Sequence, residues 1–176
     1  MRLEKNPSEN VKEGKMQELL KIKVTTLLVR MVYPVIVSYF LQNGKEAAIE
    51  SVENVAQDTV EEFLRYYKPK ENKLSKLLPN LMKLWGPKYK IIRDKKNRQK
   101  LILRTNKCPI CEEMPPMDLF GLKYCFIISV FIEKLLNALI KIKNPQEFEY
   151  TNFSAETTKS VGNMDEYCEI ILKFEK

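Results

Sequence analysis

The residues best equipped for chemistry in this chain are four cysteines, Cys108, Cys111, Cys125 and Cys168, spaced C-x2-C-x13-C-x42-C. Cys108-Pro109-Ile110-Cys111 is a common metal half-site, because two thiolates separated by two residues can reach one tetrahedral ion. The second CxxC of a symmetric zinc motif is missing, so a carboxylate such as Glu156 or Asp165 is a candidate to complete a set of three thiolates. A redox reading of CPxC is weaker. Glu112 and Glu113 would raise a neighbouring thiol pKa, and Pro115-Pro116 stop the helix that should lower it. The remaining account is that Cys125 and Cys168 are buried hydrophobes. Spacing alone puts inert thiols narrowly ahead of metal and leaves both open.

The chain contains no histidine, so it can hold neither a Ser-His-Asp nor a Cys-His pair, nor an HExxH zinc site. With five glycines and neither GxGxxG nor GxxxxGK[ST], a dinucleotide or P-loop enzyme is disfavoured. No pair of side chains offers a convincing thiolate mechanism, since Lys107 and Lys123 are only sequence neighbours of Cys108 and Cys125. No catalytic residue is assigned, and the balance is against an enzyme. The polar N-terminus lacks the apolar stretch of a secretory signal, and thiols without such a signal suggest a reducing, cytoplasmic compartment. The longest apolar run, residues 24–41, carries Arg30 and is short for a membrane span. A composition rich in Lys, Glu and Ile leans weakly towards a thermophile.

The 176 residues suit one domain, 15–176, behind a polar tail, 1–14. Helical periodicity covers 15–42, with a kink at Pro34, and is clearest over 45–68. There Val52, Val55, Ala56, Thr59, Val60 and Phe63 form a stripe while Glu50, Glu53, Glu61 and Glu62 point away. A shorter helix, 74–85, stops at Gly86-Pro87. Alternation over 88–93 and 98–104 predicts a β-hairpin with Asn97 at a left-handed turn position. A helix over about 119–141 and strands over about 147–158 and 166–174 follow, the last two joined across Gly162-Asn163. The order α-α-α-β-β-α-β-β predicts an α+β fold, its helices packed on an antiparallel sheet of about four strands. Helical spacing puts Cys125 on the face of Ile128, Ile132 and Leu139, and alternation puts Cys168 on the core face of the last strand. Both thiols then point into one interior, with the CPIC loop entering at one end.

Residues 88–107 hold nine basic residues and one acid, Asp94, a local +8 against +7 for the whole chain. Such a run can dock an anionic partner, although solvated lysines guarding a sheet edge are the commoner case. Only Tyr89 interleaves it, so base stacking has little to work with and nucleic acid is disfavoured.

Three segments, TNKCPICEEM, GLKYCFIISVFIEKLLNAL and ETTKSVGNMDEYCEIILKF, together resemble the vinyl-4-reductase (4VR) domain family and the related L-2-amino-thiazoline-4-carboxylic acid hydrolase-like proteins. The resemblance spans about residues 88–175. It implies an α+β fold shared with TRAPP vesicle-tethering subunits and haem nitric-oxide-binding domains, a homodimer, and a small apolar ligand. In aromatic-sensing members of the family a zinc site uses the Cys opening the long helix, a Glu on the penultimate strand, a Cys just after it, and the Cys of the final hairpin. Carried over, these are Cys125, Glu156 and Cys168; Thr158-Lys159 stands where the remaining Cys belongs, leaving Cys108 or Cys111 to replace it. The final turn also departs, reading Gly162-Asn163-Met164-Asp165 in place of Gly-Asp. Haem ligation of the usual form is excluded by the lack of histidine.

The reading that follows is a non-catalytic domain enclosing a small hydrophobic ligand between the 119–141 helix and the sheet, with a zinc or cysteine site bracing it. Trp85, Phe126, Val130 and Phe131 are its candidate lining. The alternatives are a small-molecule hydrolase with a Cys nucleophile or zinc-activated water, and a TRAPP-like scaffold subunit that uses the basic hairpin and a helical dimer face.

Overall fold

The computed structural model describes residues 33–66, 69–84, 89–108, 111, 119, 121–143 and 148–176. Three helices come first, α1 (Tyr33–Gln42), α2 (Lys45–Tyr66) and α3 (Leu74–Leu84), then a hairpin of β1 (Lys90–Arg93) and β2 (Lys100–Thr105). Helix α4 (Phe126–Ile142), β3 (Asn152–Lys159), a 3-10 turn (Val161–Asn163) and β4 (Cys168–Glu175) complete the chain. The four strands form one antiparallel sheet in the order β1-β2-β4-β3, so β2 and β4 are central. The fold is α+β with the element order that the periodicities predict. The 1–14 tail, the 15–32 part of the first helix and Trp85 lie outside the described residues.

Helix α4 organises the core. Its buried Ile128, Ile132, Leu135, Leu136 and Leu139 recur at helical spacing, and the helix packs against both β3 and α2. On α2 the buried stripe is Ala48, Val52, Ala56 and Val60, every fourth residue and small. It is narrower than the periodicity predicts, because Val55 and Thr59 are exposed. Glu53 does not point away from its neighbour: it takes an ion pair with Lys134 of α4 at 3.2 Å. Among the described residues no helix is long and apolar enough to cross a membrane.

Three local departures have physical causes. Helix α4 starts at Phe126, several residues later than the apolar pattern suggests, because Gly121 takes a left-handed φ of 83° and Leu119 bridges back to Leu122. The hairpin turn does not use a left-handed Asn97. Instead Asp94 Oδ1 accepts hydrogen bonds from the backbone N–H groups of Lys96 (2.9 Å) and Asn97 (3.4 Å), an Asx-type turn. Proline 79 falls inside α3 and has no N–H to offer the carbonyl of Ser75.

Among the described non-glycine residues only Met164 has a positive φ, 64°, and its side chain is 79% exposed. The left-handed conformation costs an L-residue roughly 1–2 kcal/mol, part of which glycine returns as chain entropy. Met164→Gly is therefore expected to stabilise the protein by about 0.5–1 kcal/mol. Urea denaturation checks this, and a lower midpoint in the variant would sink it.

Candidate metal centre

Three separate stretches bring the four cysteines together. At the end of β2, Thr105 Oγ1 accepts from the N–H of Lys107 (3.1 Å), turning the chain towards Cys108. The N–H of Cys111 donates to the carbonyl of Cys108 (3.1 Å), closing a turn that gathers the two CPIC sulfurs. Cys125 is the N-cap residue of α4, and its side chain makes no cap hydrogen bond, which leaves the sulfur free for other work. Cys168 opens β4, directly across from Thr105. The result is four buried Sγ atoms all within 4.8 Å of one another.

A zinc tetrahedron with Zn–S of about 2.3 Å has edges of about 3.8 Å, so the four sulfurs need only small side-chain adjustments to close on one ion. They are too tightly grouped to surround a cluster of several metal atoms. An all-sulfur tetrahedral set favours zinc, or mononuclear iron, over harder cations.

Four thiolates around a divalent ion leave a net −2 in the interior, and the surroundings are built to meet it. The N–H of Val161 donates to Cys168 Sγ at 3.4 Å, and Ser160 Oγ stands 3.4 Å from Cys111 Sγ, where the hydroxyl becomes the donor once the sulfur is ionised. The positive end of the α4 dipole falls at Cys125. The hydroxyl of Tyr89 is buried and has no hydrogen-bond partner among the described residues. Burial first, then the charges of Cys108, Cys125, Cys168 and Cys111, push its pKa up and keep its proton on. The donor set and its surroundings therefore fit a bound metal ion.

Without a cation the four thiols cannot ionise together. Hydrogen bonds from Cys108, Cys125 and Cys168 pull the Cys111 thiol down, whereas hydrogen bonding with Cys108 and Cys111 pushes Cys125 and Cys168 up. Cys108 is also drawn down, the raising hydrogen bond with Cys111 being outweighed by those with Cys125 and Cys168, so negative charge gathers at the CPIC end while Cys125 and Cys168 hold their protons.

The loops carrying the ligands are clipped to each other. Lys123 Nζ pairs with Asp165 Oδ2 at 2.8 Å, and the same oxygen accepts from the N–H of Ser160 at 2.8 Å. The Lys123 ammonium, followed by the Ser160 N–H, holds the Asp165 carboxyl below its usual range. Asp165 is thereby committed to this clip and is absent from the sulfur cluster. Glu156 is absent too: it is exposed and pairs with Ile171 of β4, while its neighbour Thr157 turns inward to hydrogen-bond Ser129 Oγ (3.0 Å). Strand parity puts Glu156 on the opposite face from the centre, and both CPIC sulfurs stand where one sulfur and a carboxylate were expected.

Of the four candidate ligand-lining residues, three lie among the described residues. Phe126 is buried, Val130 and Phe131 are half-buried, and Phe131 meets Phe63 of α2 edge-on at 6.2 Å, so it faces a helix. Within the basic hairpin, Arg104 is tied to Glu169 at 2.7 Å and lies 4.1 Å over the ring of Tyr167, and Lys100 pairs with Asp94 at 3.4 Å. Missing from the sequence reading were Tyr89 as the centre's neighbour and the Val161 and Ser160 donors. The one signal for Ser160 and Val161 was position, at the short turn before Cys168; Tyr89, just ahead of β1, gave none.

No family model and no curated protein matches this chain. Solved structures do match it. One is a trafficking protein particle complex subunit 3 from Naegleria fowleri covalently bound to palmitic acid, with a TM-score of 0.64 and 15% sequence identity over 88% of this chain and 97% of that one. The chain shares the fold of that TRAPP subunit.

Proposed function

We propose that this protein is a non-catalytic binding module of the 4VR type, in which a structural zinc ion held by Cys108, Cys111, Cys125 and Cys168 locks the loops around a small-molecule-binding fold. The observation that carries this reading is the group of four buried sulfurs within 4.8 Å. Bound zinc there would neutralise charge and cross-link β2, α4 and β4 at one point. With four sulfur ligands it would have no open position for a water or substrate, the arrangement of structural sites. This weighs against a hydrolase acting through zinc-activated water, and burial of all four thiols weighs against a cysteine nucleophile.

The covalent palmitic acid of the Naegleria subunit supports an apolar ligand for the shared fold. Attachment through sulfur in this chain would have to use one of the same four cysteines, since it has no others, and would break the centre. The ligand is therefore read as non-covalent.

Native mass spectrometry of freshly purified protein, with metal analysis in parallel, tests the reading. One zinc per chain, lost in Cys125→Ser and in Cys168→Ser, is the expected result. A metal-free chain with four reactive thiols on denaturation would return the cysteines to the role of buried hydrophobes.

A second reading, an assembly subunit, is favoured by α1, where Val35 and Tyr39 are 67% and 63% exposed beside exposed Ile36. An apolar helix face of this kind suits a homodimer contact. Light scattering during gel filtration separates monomer from dimer.

A further inference from the structure

At the end of the sheet away from the cysteines, α3, the hairpin turn and the end of β4 enclose an open cleft of about 790 Å³. The register sets it apart from the metal centre. Thr105 lies opposite Cys168 at one end of β2, and Lys100 opposite Lys173 at the other, five residues and roughly 17 Å away. The floor is apolar, formed by Leu74, Leu78, Leu101, Tyr150 and Phe174. The rim is cationic, with Lys73, Arg93, Lys95 and Arg98.

Two acids also line the cleft, and both are engaged. Asp94 holds the turn and pairs with Lys100 at 3.4 Å, and Glu149 pairs with Lys176 at 2.7 Å. The four rim cations have no ion-pair partner among the described residues. Arg93, Lys95 and Arg98 are also mounted on a fixed wall: the N–H of Phe174 donates to the carbonyl of Gln99 at 3.0 Å, pinning the turn to β4. A solvated hairpin guarding a sheet edge would need the charges alone. It would not need them around a recess with a leucine and aromatic floor.

We propose that this cleft binds an amphiphilic anion, an apolar chain lying on the floor with its carboxylate or phosphate head held by Arg93 and Arg98. The volume falls within the usual range for small-molecule sites. Guanidinium forks at the mouth suit either head group. This inference rests on the reading of the chain as a binding module and names its ligand class, but it does not depend on the metal.

The test titrates zinc-loaded full-length protein by calorimetry with dodecanoate and dodecyl phosphate, both below their micelle concentrations. Dodecanol supplies the chain without the charge, and inorganic phosphate the head without the chain. The two amphiphilic anions should bind at least tenfold more tightly than either control. Arg93→Gln combined with Arg98→Gln should weaken them at least tenfold, and Ser75→Trp, which fills the cleft from an exposed position on α3, should abolish binding. All variants should keep one zinc per chain, so a loss of zinc without loss of binding would count against the metal reading alone. Equal binding of dodecanol, equal binding of phosphate, or indifference to both variants overturns the proposal. Binding only to phosphatidylglycerol vesicles, with none of the monomeric anions, also overturns it and makes the hairpin a membrane-surface patch.

Discussion

Stripping the metal with a chelator at neutral pH should lower the thermal midpoint by about 10–20 °C. Zinc binding to an unformed site is folding free energy. If about 5 kcal/mol of it is realised here, a chain of this length loses roughly 2–4 °C for each kcal/mol. The site has no apolar substitute for the ion. Without it, four buried thiols share one interior and the ends of β2, α4 and β4 lose their common anchor. Cys168→Ser should weaken zinc binding by more than the ~10–100-fold typical of outer-shell changes, while Ser160→Ala, which removes the hydroxyl 3.4 Å from Cys111 Sγ, should fall inside that range. Cobalt substitution supplies the spectroscopic check, since tetrathiolate cobalt absorbs strongly in the visible and a three-sulfur site does not match its spectrum. If chelation leaves the midpoint unmoved, the cysteines are only packing.

The pH dependence of loading has a definite sign. In the proposed centre thiolates would be the ligands, so zinc would have to displace every proton the metal-free cluster carries. The protons on Cys125 and Cys168 are held tightly, through their hydrogen bonds with Cys108 and Cys111. Affinity should rise with pH across the neutral range and fall on acidification. Calorimetry in two buffers of different ionisation enthalpy would read the protons released per zinc.

How much of this was legible in the chain differs by scale. The α+β order follows from local periodicity, which is why α2, α4 and the four strands emerge in the right sequence. The metal centre is a different matter. Cys125 and Cys168 reveal their inward faces by spacing, but only the register that sets Thr105 opposite Cys168 brings the CPIC loop to them. Pairing between strands more than sixty residues apart leaves no local trace. Glu156 shows the opposite failure. Its place as a ligand rested on the incomplete cysteine spacing and on a resemblance, although the alternation of Phe153, Ala155 and Thr157 already puts it on the outer face. The cleft was half visible, three of its four rim cations as a basic run in the hairpin, its floor scattered over α3, β2, Tyr150 and the last strand.

Gly162→Ala should damage both stability and metal binding, and the reason lies in a single close approach. A β-carbon at position 162 would stand 2.8 Å from both Cβ and Cγ of Tyr124. Those atoms are tied to the backbone and cannot swing aside, and Tyr124 is fully buried. Its main chain is pinned as well, the N–H donating to Asn163 Oδ1 at 2.6 Å. Relief therefore has to come from separating the 3-10 turn from the segment that enters α4. The next residue after Tyr124 is Cys125, and the residue before Gly162 is Val161, whose N–H supports Cys168 Sγ. Overpacking of this kind costs about 1–3 kcal/mol, and here the strain falls on two of the four ligands, so zinc affinity should drop at least tenfold with it. Gly44→Ala is the control. Its φ of 101° makes a side chain unfavourable there too, but nothing lies within 4 Å of the added carbon. That variant should lose stability and keep its zinc affinity. Competition against a chromogenic chelator separates the two, and equal zinc affinities for both variants would mean that the turn and the metal centre are not coupled.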